Sequence, residues 1–418
     1  MIATNTFIND RKYEGDLARA INIVNGGNQS SNEDTFAKTS LHKRMVLSAG
    51  MVLCAPRAPW IEKENLSTED SSVQNGAHEL DKVYANSLEM VIFELTSSCN
   101  LKCVHCLANA GSSFNGELST KEVFKFIDDL KEAKVKIIAF SGGDPLLRED
   151  FMEIVRYAHD SGLNIVIATN GLLLDEKIIV KLKEMRINNI QISLDGIRKE
   201  THENIRGVKD SYDKVLKAIS LCKKHGLFVT ARMIIMRQNI YEIEAMMKFA
   251  KATGILCIAS LLNVEGRANK DLFPTMEEYR KQMHNIYDID NANLFCVFDG
   301  PCGNPCGVGS KMICVKPNGD IAPCTILRDE IIGNVKNDKI QSVLQESNAL
   351  RMIRESTPDK IEECSKCEAK ERCYGGCKAR AYRLNDNMRS PDIVQCVLFK
   401  KGYKIPYIKN KDQFPLSV

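Results

Sequence analysis

The chain lacks a charge imbalance: Lys and Arg total 57 against 54 Asp and Glu, a net charge of +3. So near a balance argues against a scaffold that holds nucleic acid by bulk electrostatics. Long apolar runs are also missing. Stretches such as Lys136–Phe140 fall far short of the roughly 20 residues a membrane helix needs. The opening residues Met1-Ile2-Ala3-Thr4-Asn5 have no basic-then-apolar signal pattern, so the expected location is the cytoplasm. With 44% hydrophobic and 27% charged residues, the composition is that of a globular protein. At 418 residues there is chain enough for two or three domains. What is abundant is cysteine. Of 16, three lie between Cys99 and Cys106 and nine between Cys302 and Cys396. In a reducing compartment such clusters point to metal or redox chemistry more than to disulfides.

Residues 1–85 are polar, with little helical or strand period, and are expected to be an extension of unassigned fold. From about residue 89 short apolar runs alternate with amphipathic stretches. Strands are expected at Val91–Leu95, Ile137–Phe140, Asn164–Ala168, Ile190–Leu194, Phe228–Ile235 and Ile255–Leu262. Between them, Ser119-Thr120-Lys121-Glu122 reads as a capping box opening a helix. Further helices are expected before Ser161-Gly162, over Asp175–Met185, over Tyr212–Lys224 closed by Gly226, and over Tyr241–Ala252 closed by Gly254. Six strand-then-helix units imply a parallel sheet with crossover helices. The expected fold is therefore α/β, a partial (β/α)6 barrel, whose chemistry collects at the carboxyl ends of the strands. The barrel with a helical bridge, Met276–Tyr287, is expected to span 86–300, and a small Cys-rich domain, short in regular structure, 301–418.

The first strand runs into Cys99-x3-Cys103-x2-Cys106. Three thiolates on one loop can hold three irons of a [4Fe–4S] cube and leave one iron open to a small molecule. The competing reading is three buried cysteines or a zinc site, but zinc normally takes a fourth nearby ligand. His105 lies between two of the cysteines.

This loop resembles the signature of the radical S-adenosylmethionine (SAM) enzymes, with His105 where a ring residue usually stands beside the adenine. Gly142-Gly143-Asp144-Pro145, after the second strand, resembles the family's Gly-Gly-Glu-Pro motif. Two glycines let the backbone approach a ligand amino group, and a carboxylate can pair with that group. Asp144 is one methylene shorter than the usual Glu. Thr169-Asn170-Gly171 ends the third strand. Ser193-Leu194-Asp195-Gly196 ends the fourth and is followed by His202 and Arg206-Gly207. The resemblance makes Ser193 a contact to the SAM carboxylate or ribose. Lys214 sits where some relatives place a basic residue, though a solvated helix lysine reads it equally well. Val264-Glu265-Gly266-Arg267-Ala268 follows the sixth strand, where the family's backbone packs on the adenine. The resemblance implies reductive cleavage of SAM to a 5′-deoxyadenosyl radical, with a flavodoxin or ferredoxin as electron donor.

Farther on, Cys364-x2-Cys367-x5-Cys373-x3-Cys377 is not the usual pairing of two zinc knuckles, although structural zinc is the alternative. The run resembles the SPASM domain, which holds two auxiliary [4Fe–4S] clusters. By that resemblance Cys302, Cys306, Cys324 and Cys377 ligate one cluster and Cys364, Cys367, Cys373 and Cys396 the other. Cys314 reads as a buried strand residue, and Cys54, Cys222, Cys257 and Cys296 as packed thiols.

SPASM-bearing relatives modify peptides, so the expected partner is a ribosomally made precursor peptide or a protein, with a thioether or carbon–carbon cross-link among the products. No nucleic-acid or membrane partner is expected. One alternative is side-chain chemistry on a haem-precursor tetrapyrrole. Another is anaerobic sulfatase maturation, in which an Asp base follows the cysteine equivalent to Cys324; here Thr325 follows. An electron-transfer scaffold without catalysis is the reading from another class, and the SAM-site segments count against it.

Overall fold

Alternating apolar residues build the strands, and one-sided apolar stripes build the helices that cover them. The computed structural model describes residues 10–26, 88–287, 295–297 and 307–399. The chain begins with α1 (Asp10–Val24). Then β1 (Met90–Thr96), α2 (Thr120–Glu132), β2 (Ile137–Gly142), α3 (Phe151–Asp160), β3 (Asn164–Thr169), α4 (Glu176–Glu184) and β4 (Asn189–Ser193) follow. After them come α5 (Lys199–Arg206), α6 (Ser211–Lys224), β5 (Phe228–Ile235), α7 (Ile243–Thr253), β6 (Leu256–Leu261), α8 (Met276–Tyr287) and β7 (Phe295–Val297). All six expected strands are present, and β1 to β6 pair in sequence order, each parallel to the next. The expected capping box forms: Ser119 and Glu122 each hold the other's backbone N–H at the start of α2.

One face of this curved sheet packs on the helices. Val91, Phe93 and Leu95 of β1 point into that layer, where the Phe93 and Phe126 rings meet edge to face at 5.4 Å. Each such ring contributes about 2–3 kcal/mol by leaving water. The alternate residues Glu94, Gln191, Ser193, Arg232 and Ser260 therefore occupy the opposite, inner face, toward the carboxyl ends of their strands.

Two expectations change. Residues 10–24 are not irregular: Leu17, Ala20, Ile21 and Val24 form a helical stripe that packs against α6 and α7. Lys223 at the end of α6 donates to Asn25 Oδ1 at 2.9 Å, fastening the end of this helix. The rest of the expected extension, residues 1–9 and 27–85, lies outside the described residues.

The cysteine-rich region is also more regular than expected. It contains β8 (Met312–Val315), β9 (Asp320–Ala322) and β10 (Gly333–Asn334). Six short helices follow: α9 (Ile340–Glu346), α10 (Asn348–Glu355), α11 (Glu362–Ser365), α12 (Lys370–Cys373), α13 (Lys378–Asn385) and α14 (Ile393–Phe399). β8 lies parallel to β1, β9 antiparallel to β8 and β10 antiparallel to β9, so this region extends the barrel's own sheet at its first edge. Among the described residues no helix is long and apolar enough to cross a membrane.

Candidate functional site

The loop after β1 closes on itself. Cys99 N–H donates to Gly111 O at 2.7 Å and Gly111 N–H to Ser97 O at 2.9 Å. Cys103 is buried, while Cys99 and Cys106 are half-buried. Ala110 N–H donates to Cys106 Sγ at 3.3 Å. Burial pushes the Cys99 thiol up. It also raises Cys103, where the neighbouring Arg206 guanidinium works in the opposite direction.

Loops from four other strand ends hold this one. The turn after β2 comes closest: Gly143 N–H donates to Thr96 O at 2.7 Å and Asp144 N–H to Ser98 O at 2.8 Å. A Cβ on Gly143 would lie 2.0 Å from Ser98 O, and one on Gly142 2.4 Å from Thr96 O. The glycine pair is therefore required by contact with the cysteine loop's own backbone. After β3, Asn170 Nδ2 donates to Asn100 Oδ1 at 2.7 Å. After β4, Ile205 O at the end of α5 accepts from Val104 N–H at 3.0 Å. After β6, Arg267 donates to Cys103 O at 2.9 Å and Ala110 O at 2.7 Å. A Cβ on the adjacent Gly266 would stand 2.3 Å from Cys106 O.

The other expected SAM contacts fall as follows. Asp144 is fully buried, and its carboxylate accepts from Thr169 Oγ1 at 2.7 Å, Asn170 N–H at 2.9 Å and Leu146 N–H at 3.1 Å. Burial still raises it above the usual carboxylate range. All three partners belong to the protein, so its carboxylate joins β2 to β3. Ser193 ends β4 beside Arg232 of β5 on the inner face. Lys214 is exposed on α6, as a solvated lysine would be. His105 Nε2 lies 3.7 Å from Asp195 Oδ2, and its Nδ1 is buried without a protein partner. Burial drops this imidazole to about 4, leaving it neutral near pH 7.

Sequence reasoning placed Asp195 and Arg206 only within a motif. Here they form a buried ion pair, Arg206 Nη2 to Asp195 Oδ2 at 2.7 Å, with Arg206 Nη1 3.6 Å from Cys103 Sγ. The recurrence of His202 and Arg206 four residues apart on one helix was the available signal.

In the C-terminal region Cys324 is buried behind β9 and accepts from Leu327 N–H at 3.4 Å. Burial, with smaller contributions from the nearby Asp392, Cys364 and Cys367, brings the Cys373 thiol to about 12. Tyr374, Gly375 and Gly376 all have positive φ, folding the chain tightly between Cys373 and Cys377. Cys377 caps α13 and accepts from Arg380 N–H at 3.4 Å. Arg380 and Asp392 form a fully buried pair at 2.6 Å, and Asp392 also receives Cys377 N–H, at 2.8 Å. Cys396 is buried on α14. Cys222 and Cys257 are buried in the apolar core, and Cys314 is buried on β8 near Glu94 and Arg328. Cys302, Cys306 and Cys54 lie outside the described residues, as does the side chain of Cys296. Arg383 of α13 pairs with Glu265 of the β6 loop at 2.7 Å, tying the two cysteine regions together.

Among the described residues no group of three His, Cys, Asp or Glu side chains converges tightly enough for a single metal ion. An iron–sulfur cube is wider than one ion and takes its thiolates at separate irons. Three thiols on one clamped loop, with a guanidinium on one sulfur, are a donor set that fits such a cluster.

Residues 93–250 match the radical SAM superfamily, and residues 306–368 match SPASM, an iron-sulfur cluster-binding domain. The Fe-coproporphyrin III synthase of Methanosarcina barkeri is 30% identical, over 75% of this chain and 89% of that protein. The mycofactocin maturase MftC of Mycolicibacterium smegmatis is also 30% identical, over 76% and 84%. Streptococcus suis SuiB bound to its precursor peptide SuiA superposes with a TM-score of 0.63 at 16% identity, covering 87% of this chain and 89% of that one. A structure of anSMEcpe with AdoMet and a peptide gives 0.60 at 22%, covering 75% and 94%.

Proposed function

Because the chain belongs to the radical SAM superfamily and carries a SPASM domain, and is thus an enzyme of SAM and [4Fe–4S] clusters, we propose that it modifies a precursor peptide or protein. Cys99, Cys103 and Cys106 hold the SAM-binding cube. Cys364, Cys367, Cys373 and Cys396 hold one auxiliary cluster, and Cys324 and Cys377, with Cys302 and Cys306, the other. When bound, cluster and SAM together supply a one-electron cleavage whose deoxyadenosyl product abstracts hydrogen from an unactivated C–H bond. The chain's own work is to place that bond and keep water out. Ser193 at the end of β4 orients SAM, and the backbone around Gly142–Asp144 borders its methionine end. A flavodoxin or ferredoxin supplies the electron.

The observation carrying the substrate class is the polar inner face. Gln191, Ser193 and Arg232 lie there, and Ser260 Oγ is buried with no protein partner. Peptide amides supply the donors and acceptors that such a face calls for. Thr325 in place of an acidic base argues against sulfatase maturation. Tetrapyrrole chemistry is the second reading, favoured by the 30% identity to the Fe-coproporphyrin III synthase.

The test uses anaerobically reconstituted full-length protein with SAM and dithionite. Formation of 5′-deoxyadenosine is expected, lost in Cys103→Ala. Stimulation by a precursor peptide encoded beside the gene supports peptide modification. Stimulation by iron-coproporphyrin alone would overturn it, and zinc in place of iron would overturn the cluster assignment.

A further inference from the structure

The chain buries a cation against a single cysteine of its first cluster motif. Arg206 is the last residue of α5, and Ile205 O receives Val104 N–H at 3.0 Å, so the end of this helix is docked on the cysteine loop. From there Arg206 Nη1 reaches Cys103 Sγ at 3.6 Å. Its other terminal nitrogen, Nη2, lies 2.7 Å from Asp195 Oδ2.

Asp195 cannot swing away. Its Oδ1 accepts from Ile234 N–H at 2.9 Å, its carbonyl accepts from Asn239 Nδ2 at 2.8 Å, and its own N–H donates to His202 Nδ1 at 3.3 Å. Asp195 is fully buried and Arg206 nearly so. The two nearby histidines hold Asp195 more loosely: His202 Nδ1 accepts its N–H at 3.3 Å and His105 Nε2 stands 3.7 Å from Oδ2, against 2.7 Å for the guanidinium. Arg267 is also close, but it donates to the carbonyls of Cys103 and Ala110. On this loop, among the described residues, Arg206 is thus the guanidinium directed at a sulfur.

A charged donor on a cluster thiolate withdraws electron density from the sulfur. The reduced cluster carries one more negative charge than the oxidised one, so the donor favours reduction. The effect is large where water is excluded. Asp195, one residue farther from the sulfur, opposes it by its charge while fixing the donor's place.

We propose that Arg206, locked by Asp195, is a positioning residue that raises the reduction potential of the cluster on Cys99, Cys103 and Cys106 through its contact with Cys103 Sγ. This rests on the cluster assignment above. A merely structural ion pair would hold α5 in place without moving a redox equilibrium.

The experiment is an anaerobic redox titration of the reconstituted full chain, read by EPR. The cluster in question is the one whose spectrum changes when SAM is added. In Arg206→Gln its reduction equilibrium should fall at least tenfold, a 59 mV drop for one electron. Arg206→Lys, which keeps the charge, should stay within threefold of the unaltered protein. Asp195→Asn, which removes the opposing charge, should move the equilibrium upward. An Arg206→Gln protein with full iron content and a potential within threefold of the original overturns the proposal, leaving the cluster assignment intact. If Arg206→Gln does not fold or fill with iron, Arg206→Met, which keeps an apolar stem without the charge, decides by the same threefold limit. An unaltered protein with no SAM-responsive cluster overturns the cluster assignment itself.

Discussion

The guanidinium of Arg328 lies flat against the carboxylate of Glu94, Nη1 to Oε1 at 2.5 Å and Nη2 to Oε2 at 2.9 Å. Glu94 is on β1, and Arg328 is 234 residues later in the cysteine-rich region. Both are largely buried, so each neutralises a charge the other could not leave in a dry site. Glu94→Gln should lower unfolding stability by about 3 kcal/mol, because the guanidinium is left buried and unpaired. Replacing both, Glu94→Leu with Arg328→Met, should restore most of it. Denaturant titration measures this, and a single variant losing under about 1 kcal/mol would refute the claim.

The glycine contacts predict a graded series. Gly143→Ala places a methyl 2.0 Å from Ser98 O, and Gly266→Ala one 2.3 Å from Cys106 O in a backbone with φ of +64°. Each should cost about 3 kcal/mol, since backbone rather than a flexible side chain must yield, and each should reduce iron bound per chain. Gly111→Ala is in the same loop, with nothing within 4 Å of the added carbon. It should bind iron normally. Equal iron loss in all three variants would sink the idea.

Asp144 predicts an asymmetry with its family motif. Restoring the usual acid, Asp144→Glu, inserts a methylene where the residue is fully buried, and should destabilise by about 1–3 kcal/mol. Asp144→Asn turns an amide NH2 toward groups that already donate, Leu146 N–H in one orientation or Asn170 N–H and Thr169 Oγ1 in the other, and should cost about 2 kcal/mol. A melting temperature unchanged by either substitution would show that the carboxylate does not hold the strand ends.

Lys223 predicts a pH effect far from the clusters. Burial lowers its ammonium to about 8, against 10.5 for a lysine side chain free in water. Between these values the unfolded chain holds the proton and the folded one has lost it, so unfolding free energy rises with pH across that window. Below about 8 both states are charged and the burial penalty stands in full. Lys223→Met should flatten the rise in melting temperature between pH 8 and pH 10. An identical slope in both proteins would contradict it.

The six barrel strands were legible because each carries its own short apolar run between helices of clear amphipathic period. So was the cysteine loop, because its three thiols lie within eight residues. Helix α1 was missed for a physical reason. Leu17, Ala20, Ile21 and Val24 have helical spacing, but in a polar stretch they matter only because α6 and α7 offer a surface to cover. That surface is some two hundred residues away in sequence. The glycine pair was expected to approach a ligand, and its tightest contacts are with the cysteine loop's backbone.

The sequence by itself determined the class of chemistry and the order of the strands, because thiol spacing and hydrophobic period are local properties of a chain. Only the tertiary structure decided which groups face those thiols. Arg206 meets Cys103 across 103 residues, and the cysteine-rich strands join the sheet beside β1 rather than forming a layer apart. Such pairings depend on how packed loops exclude water around a charge, and no spacing along the chain encodes that distance.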